Sequence, residues 1–113
     1  MSDCCQVTTT VDSRASADRI ARTLVEERLA ACAQVVGPVH STYWWQGRVE
    51  SADEWYCHLK TTLARLPELQ ARLRALHPYD VPELIALPIA AGLPAYLAWI
   101  EESVRPTPSR PEP

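Results

Sequence analysis

Tyr43-Trp44-Trp45-Gln46-Gly47-Arg48-Val49-Glu50 is the stretch that most limits what this chain can fold into. Its aromatics run straight into Gln46-Gly47, which reads as a turn. In a strand, neighbouring side chains point to opposite faces. Trp44 then faces one way, and Tyr43 and Trp45 face the other. Both faces of such a strand need cover. The chain has 113 residues, enough for one domain with one core. A domain of that size has helices for one face of a sheet, so the second face is expected to meet another subunit.

The remaining composition excludes more than it selects. At 47% hydrophobic and 22% charged, the chain is an ordinary soluble globular sequence. A net charge of −3 argues against nucleic acid or an anionic membrane as partner. No apolar run is long enough to span a bilayer. Met1-Ser2-Asp3-Cys4-Cys5-Gln6 lacks the charged and apolar regions of a signal peptide. The expected location is the cytoplasm, where the four cysteines stay reduced. Their spacing contains no C-x-x-C pair. Cys32 and Cys57 read as small core residues, while Cys4-Cys5, near a terminus, is expected to be exposed. There is no Ser-His-Asp order, P-loop or dinucleotide fingerprint, and an enzyme is not expected.

Residues 6–11 are β-branched and read as a first strand. Asp12 and Ser13 follow as turn and N-cap candidates. Ala17, Ile20, Ala21, Leu24, Val25 and Leu29 then form one apolar helical stripe. Residues 31–36 begin a second strand, which Gly37-Pro38 interrupts and residues 39–45 resume. Residues 48–61 return antiparallel, with Trp55, Cys57 and Leu59 alternating against Tyr56, His58 and Lys60. Leu66, Leu69, Leu73 and Leu76 mark a second helix with Pro67 in its first turn. Residues 84–87 are apolar on both faces and read as a central buried strand. Tyr96, Leu97, Trp99 and Ile100 belong to a final helix. Residues 1–103 make the domain, and the Pro-rich 104–113 read as a disordered tail. The order is βαββαβ, an α+β ferredoxin-like arrangement. Two helices cover one face of a four-stranded antiparallel sheet, and the other face stays open.

Several stretches together resemble the divalent-cation tolerance protein CutA family. They are Leu24-Val25-Glu26-Glu27-Arg28-Leu29-Ala30-Ala31-Cys32-Ala33, the hairpin at 43–50, Leu59-Lys60-Thr61, His77-Pro78-Tyr79-Asp80-Val81-Pro82-Glu83 and Tyr96-Leu97-Ala98-Trp99. The resemblance runs from about Val7 to Ser103. It implies a ferredoxin-like fold similar to PII signalling proteins, a tight homotrimer, and a link to copper and other divalent metal ions. The family's proposed copper ligands are a Cys on the first strand and a His-His pair before Pro-Tyr. Those positions hold Thr9 and Leu76-His77 here, so only His77 carries over.

A single imidazole does not hold copper or zinc, because such sites need three or four ligands. His77 is therefore expected to share a metal with threefold copies of itself or with a carboxylate, Glu83 foremost and Asp80 beside it. The alternative is a helix C-terminal histidine favoured by the macrodipole. A second set, Trp45, Lys60, Tyr79 and Glu83, is expected to line an inter-subunit cleft for a small polar or anionic molecule. Lys60 pairing with Glu83 as a purely structural ion pair is the competing reading. Tyr43, Trp44, Trp45 and Trp55 are expected at the trimer interface. His58 reads either as a buried neutral imidazole or as a pH-dependent contact between subunits. Two functions follow: a trimeric metal-response protein, or a PII-like sensor with its ligand or partner between subunits.

Overall fold

The computed structural model describes residues 2–106. It contains β1 (Cys4–Val11), α1 (Arg14–Glu26), β2 (Cys32–Trp45), β3 (Arg48–Thr62), α2 (Leu66–Leu76), β4 (Ile85–Pro88) and α3 (Pro94–Ser103). The strands form one antiparallel sheet in the order β2-β3-β1-β4. This is the expected α+β, ferredoxin-like topology with one helix added. Among the described residues, no helix is long and apolar enough to cross a membrane.

Local chemistry sets the element ends. Ser13 caps α1 by accepting the Ser16 N–H at 3.1 Å. Past the other end of α1, Arg28 takes φ 59, a left-handed conformation usually left to glycine. It lets the Leu29 N–H turn back to the Leu24 carbonyl at 2.9 Å. The Arg28 guanidinium donates to the Ser103 carbonyl at 3.1 Å, tying this corner to the end of α3. Between β2 and β3, Gln46 and Gly47 have φ 48 and 77. A two-residue turn with both centres left-handed matches the twist of the strands it joins.

The β2–β3 register shifts between Val36 and Val39, where the expected interruption falls. A Cβ on Gly37 would lie 2.5 Å from Trp55 Cδ1, so the strand bends there against an indole with no room for a side chain.

The main core fills the space between the sheet and α1 with α2. Val7, Ile20, Leu24, Cys57, Leu59, Leu69 and Leu73 are fully buried in it. Each large aliphatic side chain there contributes about 1.5–3 kcal/mol by leaving water. The Thr61 hydroxyl joins β3 to the α1–β2 connection by donating to the Leu29 carbonyl at 2.7 Å. Burial pushes the Cys57 thiol up to about 12, with Asp18 adding to it, so it stays an unreactive core thiol.

Several expectations change. Strand β1 starts at Cys4, and both Cys4 and Cys5 are completely buried rather than exposed. Cys5 joins the main core, while Cys4 meets Ala31, Ile100 and Val104 in a second, smaller cluster. That cluster exists because α3 crosses one end of the face that two helices were expected to leave open. Val104 is buried in it, so folded structure passes residue 103. The rest of the expected tail, 107–113, lies outside the described residues. Cys32 is only partly buried, with its thiol 3.7 Å from the Tyr96 hydroxyl. Strand β4 is an edge strand rather than a central one. Its Ala86 packs on the core, but Ile85 and Leu87 point to the uncovered face and are 50% and 55% exposed.

Candidate functional site

Strand alternation decides which side chains can meet on the open face. Along β3, Arg48, Glu50, Ala52, Glu54, Tyr56, His58 and Lys60 share that face, opposite the side of Cys57 and Leu59. From β2, Tyr43 pairs with Glu50 and Trp45 with Arg48, which places both aromatics on the same side. Trp44 pairs with Val49 and projects from the reverse side. Trp44 is 76% exposed and Trp45 56%, and Tyr43 and Val49 are exposed as well. Trp55 stands apart from the aromatics grouped with it in the sequence. It packs on the chain's own core and against Gly37.

His77 ends α2 and is buried. The Tyr79 N–H donates to its Nδ1 at 3.1 Å, so Nδ1 is an acceptor. Nε2 therefore carries the proton and donates to the Thr10 carbonyl at 2.8 Å. Both ring nitrogens are committed to a neutral imidazole that closes the helix against β1. Thr9, which the resemblance sets against a cysteine, is fully buried, and its hydroxyl finds no partner among the described residues. Among the described residues, no group of three His, Cys, Asp or Glu side chains is placed to hold a metal ion. Within one chain, then, the donor set does not fit a resident copper.

The turn at His77 swings Tyr79 over the sheet. Its hydroxyl donates to Glu54 Oε2 at 2.8 Å. Glu54 is only 8% exposed, and its carboxylate would be poorly placed without that donor. Burial and then the hydrogen bond to Glu54 push the Tyr79 phenol well above its ordinary range. Glu83 comes in beside this pair. Partial burial, followed by the Glu54 charge, raises its carboxyl, while His58 acts in the opposite sense. His58 stacks on Tyr56 with ring centres 5.3 Å apart, and its Nδ1 meets the Thr8 hydroxyl at 3.0 Å.

Lys60 does not reach Glu83. It donates to Gln34 Oε1 at 2.6 Å, across the β2–β3 ladder. Of the expected cleft residues, Tyr79 and Glu83 thus come together, while Lys60 and Trp45 lie at separate places on the same face. Glu54 bonds Tyr79, and both Glu54 and His58 act on Glu83. Glu54 was absent from the sequence-derived site, although its even position in the β3 alternation puts it in line with Tyr56, His58 and Lys60.

The fold and this face define an α+β ferredoxin-like domain whose polar site lies on the sheet surface that the helices leave uncovered. Residues 5–103 match the family model described as CutA1 divalent ion tolerance protein. The chain belongs to that family. It is 50% identical over 94 residues to the divalent-cation tolerance protein CutA of Thermus thermophilus, covering 83% of this chain and 91% of that one. The chloroplastic protein CutA 1 of Oryza sativa is 41% identical over 96 residues, or 85% of this chain and 54% of that protein. The crystal structure of CutA from Xylella fastidiosa superposes with a TM-score of 0.90 at 41% identity, over 92% of this chain and all of that one (100%).

Proposed function

We propose that the chain works as a homotrimer in the cellular response to divalent metal ions, with the open sheet faces and hairpin arms buried between subunits. The observation that carries this reading is the unpartnered apolar surface. Tyr43, Trp44, Trp45, Val49, Ile85 and Leu87 are all exposed on one small chain. Surface of that kind, rimmed by charge, marks a protein–protein contact. The names of its relatives refer to tolerance of divalent cations and to no reaction, which agrees with a non-enzymatic role.

A PII-like variant of this reading is favoured by the state of His77. With both nitrogens hydrogen-bonded, His77 has no lone pair to offer copper without breaking its bonds to Thr10 and Tyr79. In this reading the trimer does its work through the clefts, which take a small molecule or a partner protein, and His77 is structural. Sedimentation of the full-length, reduced chain tests the assembly, and a stable monomer at micromolar concentration removes it. Calorimetric titration with Cu and Zn tests the variant. Stoichiometric binding tighter than that of exposed carboxylates would return a resident metal to the site.

A further inference from the structure

The open face carries a charge asymmetry that one chain does not resolve. At the hairpin tip, the Arg48 side chain is 80% exposed, and its ion-pair partner is Glu50 at a loose 3.6 Å. An exposed pair of that length contributes little, so the guanidinium is available. Away from the tip, where the chain enters β4, Glu83 lies beside the Glu54–Tyr79 pair and its carboxyl is held up by partial burial and by Glu54. Among the described residues, neither carboxylate has a Lys or Arg within ion-pair distance. Lys60, the other cation of this face, is occupied by Gln34. The apolar surroundings match as the charges do. Trp45 sits directly across the ladder from Arg48, and exposed Ile85, the first residue of β4, lies two positions past Glu83.

We propose that Arg48 of one copy pairs with Glu83 of a neighbouring copy, with Trp45 covering Ile85 beside it. This supplies the cation that the carboxylate site lacks in a single chain, and it rests on the trimer reading above. The occupant is a second copy because each chain carries both halves, a tip bearing a cation and an aromatic and a loop bearing a carboxylate and aliphatic surface. Tip against tip would set Arg48 against Arg48, so a two-fold contact through the tips is disfavoured. In the proposed trimer the tip-to-loop contact passes head to tail, and a rotation of one third of a turn between copies closes it into a ring. Arg and carboxylate suit such a contact, since the fork of the guanidinium fixes orientation as well as attraction. The pairing also takes Glu83 out of the metal set expected from the sequence.

Sedimentation across a dilution series, comparing wild type, Arg48→Glu, Glu83→Arg and the double charge swap, tests the pair. Either single reversal is expected to weaken association by about tenfold or more, and the swap to recover most of it. Both side chains are exposed in the single chain, so circular dichroism of the dilute variants is expected to match wild type. A wild type that sediments as a monomer removes the trimer reading, and the pair with it. A trimeric wild type with unweakened single variants, or a swap that recovers nothing, overturns the pair and leaves the trimer standing. A second readout avoids charge reversal. In an Arg48→Lys chain, a zero-length carbodiimide is expected to form an inter-copy amide between residue 48 and Glu83, lost in a Glu83→Gln background. Its absence from the trimer overturns the pair.

Discussion

The two ends of the β2–β3 hairpin live in different solvents. At its base, Cys57 and Leu59 are sealed under α1 and α2, and Cys32 lies near α3. At its tip, Tyr43, Trp44, Trp45 and Val49 are held by one ladder and a two-residue turn, with water on both sides. The strands are continuous, yet the stabilising term changes along them from side-chain burial to cross-strand pairing alone. An isolated two-stranded ribbon is marginal in water. The base therefore belongs to the fold of one chain, and the arm is the part that the proposed trimer completes.

The largest expected effect probes the base. Leu59→Ala removes a fully buried side chain and is expected to cost about 2–5 kcal/mol in urea unfolding, at every protein concentration. Trp44→Ala is expected to leave the dilute chain folded and to lower the unfolding temperature mainly at concentrations where copies associate. Equal losses for the two variants at the lowest concentration would break the comparison. Gly37→Val tests the junction between the regions. Its side chain would collide with Trp55 and is expected to cost about 1–3 kcal/mol, less if the indole can swing away. Gly47→Ala acts on the tip alone. At φ 77 a Cβ is strained even in open space, with an expected cost of about 1 kcal/mol that appears in arm-specific hydrogen exchange.

The smallest effect is a change of sign. In the dilute chain the Glu83 carboxyl is raised, so the fold holds its proton more tightly than the unfolded chain does. That contribution is full at acid pH and is lost as pH rises through the raised value. Glu83→Gln is therefore expected to be slightly more stable than wild type at neutral pH when chains are dilute, with the gap closing at acid pH. In concentrated protein the same substitution is expected to destabilise, because Arg48 of the next copy loses its carboxylate. A gap that keeps its sign at both concentrations would assign Glu83 to the single chain only.

Most of the fold was legible in the sequence because its signals are local. The stripe from Ala17 to Leu24, the leucines of α2 and the Gln46-Gly47 turn each announce their own element. Burial of Cys4 was not legible, because it depends on α3 crossing back over β1 from the far end of the chain. The exposure of Ile85 and Leu87 was missed for a related reason. An apolar four-residue run looks the same in a central strand as in an edge strand with one uncovered face. At the site, the alternation correctly put Tyr56, His58 and Lys60 on one face. The partners across the ladder were less visible: Lys60 meets Gln34 only because the bulge at 36–39 sets that register. Glu54 becomes a site residue only when Tyr79 folds over it, a contact between positions with no sequence signal in common.

The tight turn at Gln46-Gly47 has a consequence for how this arm can vary. With no slack in the loop, the reach of the arm is set by strand length alone, at roughly 3.3 Å per residue. Removing one residue from each strand would turn the tip over and carry Trp45 and Arg48 to the wrong side of the sheet. Insertions or deletions that keep each tip side chain on its present face must come as two residues on each strand, in matched steps. The arm behaves as a ruler graduated in pairs.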